Sequence, residues 1–224
     1  TTASFGLDFY LGALDDEVEG EATKDDALTF GYSLGIGLNT SFTGEDSLDI
    51  TIDAGNVTEG VAELDGNTTG DQLIVDGIAY TFPLGDATFL VGDSTDGSAL
   101  FTTACAYGGP SAMLDDCANV NAGITGGEAT IGASYDFGNG FTSAFGLQTG
   151  NSNVLTEESQ DALALNGAYT GEKYGVSITY LTADNVDGTD TDTATAFNAY
   201  YTPDGLPSIS CLLYTSDAAD DRIG

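Results

Sequence analysis

Residues 28–39, LTFGYSLGIGLN, alternate strictly: Leu28, Phe30, Tyr32, Leu34, Ile36 and Leu38 are apolar, while Thr29, Gly31, Ser33, Gly35, Gly37 and Asn39 are small or polar. Side chains of a strand point to its two faces in turn, so one face carries an unbroken apolar stripe and the other is narrow and hydrated. Soluble sheets are built from shorter strands, about 5–6 residues on average. A strand that crosses a bilayer needs about 9–11 residues, apolar toward lipid and polar toward a lumen. Residues 28–39 are long enough for that task.

The pattern recurs along the chain. Phe5, Leu7, Phe9 and Leu11 alternate with Gly6, Asp8, Tyr10 and Gly12. Leu48, Ile50, Ile52 and Ala54 oppose Asp49, Thr51, Asp53 and Gly55, and Ile131, Ala133, Tyr135 and Phe137 oppose Gly132, Ser134 and Asp136. Similar stretches around residues 78–82, 141–147, 163–169, 174–180 and 197–201 predict about ten strands, with another beginning at Ser208. Compact turn signals at residues 43–46, 83–86, 138–140, 170–173 and 203–205 read as hairpin tips, because Gly supplies positive φ and Pro fixes its own. The connections between them, near residues 15–26, 56–70, 93–126, 149–160 and 182–192, are long and acidic. Short turns on one rim and long loops on the other is the plan of an antiparallel transmembrane β-barrel. Aromatics beside the short turns, Phe42, Phe82, Phe137, Phe141, Tyr169, Tyr174 and Tyr201, suit an interfacial girdle.

Composition narrows the function classes. No run approaches 18 consecutive apolar residues, which excludes a membrane helix and leaves barrels untouched. The 36 Asp and Glu against three Lys and Arg repel nucleic-acid phosphates. Disorder, the other usual reading of such acidity, conflicts with 11 Tyr and 11 Phe set in a regular pattern. The absence of histidine removes the commonest general base, the Ser-His-Asp and Cys-His arrangements and every His-containing metal site. No enzyme activity, cofactor or metal site is expected.

Both ends of the chain break the pattern. Thr1 opens inside strand material, so further residues are expected upstream. Residues 211–221, CLLYTSDAADD, resemble the translation of a sequencing adapter, so residues 211–224 are set apart from a barrel domain over residues 1–210. Without them two cysteines remain, Cys105 and Cys117, inside the longest connection. In an oxidising compartment the pair would close a short loop and stiffen it by about 2–4 kcal/mol; two unpaired thiols are the alternative. Residues 187–192, DGTDTD, lack the spacing and terminal Glu of a calcium-binding EF-hand loop and read as a solvated loop.

Four segments carry a family resemblance: residues 38–56 (LNTSFTGEDSLDITIDAGN), 80–92 (YTFPLGDATFLVG), 135–141 (YDFGNGF) and 200–210 (YYTPDGLPSIS). They are similar to cyanobacterial outer-membrane porins of the OprB-like, carbohydrate-selective or iron-uptake group, and the resemblance runs in order through residues 1–210. It implies a water-filled channel for passive diffusion of small hydrophilic solutes, sugars, inorganic ions or iron, in the outer membrane of a Gram-negative-type cell. It also implies a signal peptide, a surface-layer-homology domain and a coiled coil upstream, and a barrel larger than these ten to eleven strands. The chain is therefore expected to form an open, incomplete barrel, surrounded by outer-membrane lipid and forming a homotrimer by porin analogy. Candidate pore-lining residues are Asp8, Asp49, Thr51, Asp53, Ser134 and Asp136. By the same analogy the 93–126 connection folds inward and offers Asp115 and Asp116 as eyelet groups; an outward cap is the alternative. Basic residues are expected in the family where this chain has Asp49 and Asp53, so the group's sugar or anion selectivity is not simply carried over: a weak cation preference is expected, and acids that merely solvate a wide lumen are the alternative. The competing class is a secreted acidic β-sandwich or adhesin, calcium-stabilised.

Overall fold

The computed structural model describes residues 1–12, 28–57, 66–105, 124, 127–151, 160–184 and 191–217. Eleven strands follow one another: β1 (Thr2–Gly12), β2 (Thr29–Thr40), β3 (Ser47–Gly55), β4 (Ile74–Leu84), β5 (Ala87–Asp93), β6 (Ala129–Gly138), β7 (Phe141–Thr149), β8 (Asp161–Thr170), β9 (Tyr174–Asp184), β10 (Thr191–Tyr201) and β11 (Ile209–Asp217). Every strand pairs antiparallel with its sequence neighbours, in the order β1 to β11. Among the described residues β1 and β11 do not meet, and the sheet stays open. Apart from the seven-residue β5, the strands run nine to twelve residues, long enough to cross a bilayer when tilted.

Register keeps the two faces separate. Leu7 stands opposite Leu34, Ile36 opposite Ile52, Phe82 opposite Phe89, Phe145 opposite Leu165 and Ile178 opposite Phe197. These side chains make one apolar face, much of it exposed: Leu7, Phe9, Phe145, Leu165, Ile178 and Phe197 all remain open. A sandwich would bury such a face under a second sheet, whereas the described strands form only one. Aromatics gather beside the short turns on this face. Phe42, Tyr80, Phe82 and Phe89 form a chain of ring contacts, as do Phe141, Tyr169 and Tyr174. At the opposite rim Phe9 stacks on Phe30.

The turns fall where Gly and polar residues permit. Gly85, at φ 67°, makes the two-residue link between Leu84 and Ala87, and Gly138, Asn139 and Gly140 all take positive φ between β6 and β7. The β2–β3 turn is tied by Asp46, whose carboxylate accepts from Ser41 Oγ at 2.6 Å, Thr43 N and Oγ1 at 2.7 Å and Tyr80 OH at 2.7 Å. Donation from the Ser41 and Thr43 hydroxyls, then from the Thr43 amide and Tyr80, outweighs desolvation and holds the Asp46 carboxyl well below the usual carboxylate range. A carboxylate whose folded pKa is depressed stabilises the fold at pH above its unfolded value. That contribution disappears as the pH falls through the folded value. Between about pH 5 and pH 2 the melting temperature of the detergent-solubilised protein should therefore fall more steeply for the wild type than for Asp46→Ala. Parallel melting curves would show that Asp46 does not tie the turn.

Candidate functional site

On one side the polar face is crossed by its own chain. After β5 the backbone turns back at Ser94, at φ 48°, and residues 94–105 cross the polar face as a strap. Successive contacts trace its path over four strands. Thr130 Oγ1 on β6 donates to Thr95 O at 2.8 Å. Gly97 of the strap lies so close to Gly146 on β7 that a Cβ at Gly146 would collide with Gly97 O. Thr102 N donates to Asn166 Oδ1 on β8 at 3.0 Å, and Ala104 N donates to Ser177 Oγ on β9 at 2.9 Å. Turns within the strap, Ala99 N to Asp96 O and Phe101 N to Ser98 O, shorten it enough to place Phe101 over the wall.

Beneath the strap the only sizeable core of the described residues forms. Ile124, Ala162, Ala164, Leu181, Ala194 and Ala196 make one buried cluster, with Phe101 packed against it. This accounts for the alanines on the polar face of β8 and β10: they leave room for Phe101 and Ile124. Of the 93–126 connection, the described residues fold inward. Asp115 and Asp116 lie outside the described residues. Cys105 is disulfide-bonded, and Cys117 likewise lies outside the described residues.

The side bare of the described strap is the wall made by β1 to β4, where only Ser94 at the start of the strap reaches Gly77 of β4. Asp8 pairs with Ser33, Asp49 with Asn39 and Ala79, Thr51 with Gly37 and Gly77, and Asp53 with Gly35, all on the face that the strap occupies further round. Ser134 and Asp136 stand on that same face of β6, opposite Ala144 and Thr142. The structure therefore brings the six candidate residues to one face. Asn39 Nδ2 and Ser47 Oγ each donate to the Asp49 carboxylate at 2.6 Å, fixing it against the wall. Near the long-loop rim Asn67 N donates to Ser33 Oγ at 3.2 Å, so part of the β3–β4 connection also reaches this wall.

One carboxylate escaped the sequence reading. Asp76 has the parity of Ile78 and Tyr80, which alternation assigns to the apolar face. The β3–β4 register shifts between Thr51 and Ile52, leaving Asp76 as the extra residue, and Thr51 Oγ1 donates to Asp76 Oδ2 at 3.4 Å. A bulge re-aims a side chain in this way. Four carboxylates, Asp8, Asp49, Asp53 and Asp76, thus line the bare wall. Among the described residues the only Lys or Arg is Lys173, in the β8–β9 turn, where it pairs with Asp204.

A single antiparallel sheet of membrane-length strands, apolar on one face and crossed on the other by an inward loop after its fifth strand, is a porin-type barrel wall. Comparison with solved structures agrees. Variants of the Rh. blastica porin carrying five, three and two substitutions superpose with TM-scores of 0.58, 0.57 and 0.56. Each is 11% identical over 95% of this chain and 74% of its own. No protein-family model matches the sequence, and no curated protein does.

Proposed function

We infer that the chain forms the wall of an outer-membrane porin, a water-filled channel for passive diffusion of small hydrophilic solutes. The observation that carries this reading is the strap: residues 94–105 lie across the polar face, where they narrow the space that a closed barrel would enclose. Four wall carboxylates without a described base among them favour cations, since charged groups lining a narrow passage between low-dielectric walls attract counter-ions. The four sequence segments named above support a cyanobacterial porin of the carbohydrate-selective or iron-uptake group, working as a trimer. Sugars, inorganic ions and iron are the solutes of that group. The barrel domain is assigned to residues 1–210. Residues 211–224 are set apart from it by their sequence, although residues 211–217 continue β11 along β10.

Reconstitution of the full-length protein in planar bilayers decides the matter. Stepwise conductance increments of uniform size are expected. A correctly folded, inserted protein that leaves the bilayer silent would overturn the porin reading.

A further inference from the structure

On the polar face of β8, Ala162, Ala164 and Ala168 surround one large polar residue, Asn166, which is 5% exposed. Sheet formation gives no reason for an amide there. Its two ends face different partners: Nδ2 donates to Thr179 Oγ1 on β9 at 2.9 Å, and Oδ1 accepts from Thr102 N of the strap at 3.0 Å. The first bond aims the second. Ser177, 4% exposed on β9, accepts from Ala104 N two residues further along the strap. Thr102 and Ala104 stand two residues apart in the strap, and their amides meet side chains on adjacent strands. A buried amide that loses its acceptor suffers the full desolvation penalty, so each bond holds the strap against the wall more firmly than its net strength suggests.

We propose that Asn166 and Ser177 are positioning residues that latch the strap to the wall and thereby set the size limit of the channel. The proposal rests on the porin reading and adds to it which side chains fix the aperture. Both acceptors are neutral, so the latch works without an ion pair. Releasing it frees residues 102–105 from the wall, while Phe101 stays packed on the cluster, and admits larger solutes.

The decisive comparison uses the full-length protein, the double variant Asn166→Ala/Ser177→Ala, the single variant Ser177→Ala and the conservative Ser177→Thr. Swelling of liposomes in sugars of increasing size reads the exclusion limit, and heat-modifiable migration on gels reads barrel integrity. The double variant should keep its barrel and shift the limit to larger sugars. Ser177→Ala should give a smaller shift in the same direction and decides the matter if the double variant does not fold. Ser177→Thr keeps a hydroxyl acceptor and should match the wild type. A folded double variant, or a folded Ser177→Ala, with an unchanged limit overturns the latch and leaves the channel standing. A wild type impermeable to every sugar and silent in bilayers overturns the porin reading itself.

Discussion

Ile52→Arg is expected to stop the protein from inserting as a heat-modifiable, protease-resistant barrel, whereas Thr51→Arg, one residue earlier, leaves insertion intact. Both positions lie in the middle of β3, and only the face differs. Ile52 stands between Ile36 and Val75 on the apolar face. An arginine there must enter hydrocarbon, at a cost of about 2–4 kcal/mol near the bilayer midplane. Thr51 stands on the polar face between Gly37 and Gly77, and its hydroxyl already reaches Asp76. An arginine at that exposed site finds water and a carboxylate partner. Insertion into liposomes, scored by protection from protease, should separate the two variants cleanly. Equal behaviour would mean that the faces are assigned the wrong way round or that neither meets lipid.

The strands were legible because a two-residue period is visible without any knowledge of register. The five short turns were legible because glycine or proline marks each of them. Asp76 was not legible. A bulge belongs to a pair of strands, and strict alternation within β4 alone points that carboxylate toward lipid. Asn166 and Ser177 were hidden for a related reason, since their partners in the strap lie 64 and 73 residues away in sequence. The one local signal was a bulky amide in a row of alanines. Inward folding of the 93–126 connection came only from porin analogy, because length and acidity suit an outward cap equally well. What decides its direction is the polar face itself. Alanines at 162, 164, 194 and 196 leave a depression that Phe101 and Ile124 fill, and buried hydroxyl and amide groups satisfy the backbone of the strap.

Reversing two charges on the bare wall should change which ions pass. Asp49 and Asp53 lie four residues apart on the same face of β3, with Thr51 between them on that face, toward the side that the strap leaves open. With Asp8 and Asp76 they give the wall of β1 to β4 four negative charges. Asp49→Lys/Asp53→Lys would leave two carboxylates against two ammonium groups, so the net charge of that wall falls to zero. Lysine keeps its charged head in water, and neither substitution touches the apolar face, so folding and insertion should persist. The wild-type channel in a potassium chloride gradient is expected to show a reversal potential of the sign set by potassium. In the double variant that potential should collapse toward zero or change sign. The effect belongs to low ionic strength, because the Debye length shrinks from about 30 Å at 0.01 M to about 3 Å at 1 M. A wild-type potential of chloride sign would overturn the cation preference. A potassium-sign potential that both substitutions leave unchanged would move the selective charges away from β3 and onto other elements of the channel.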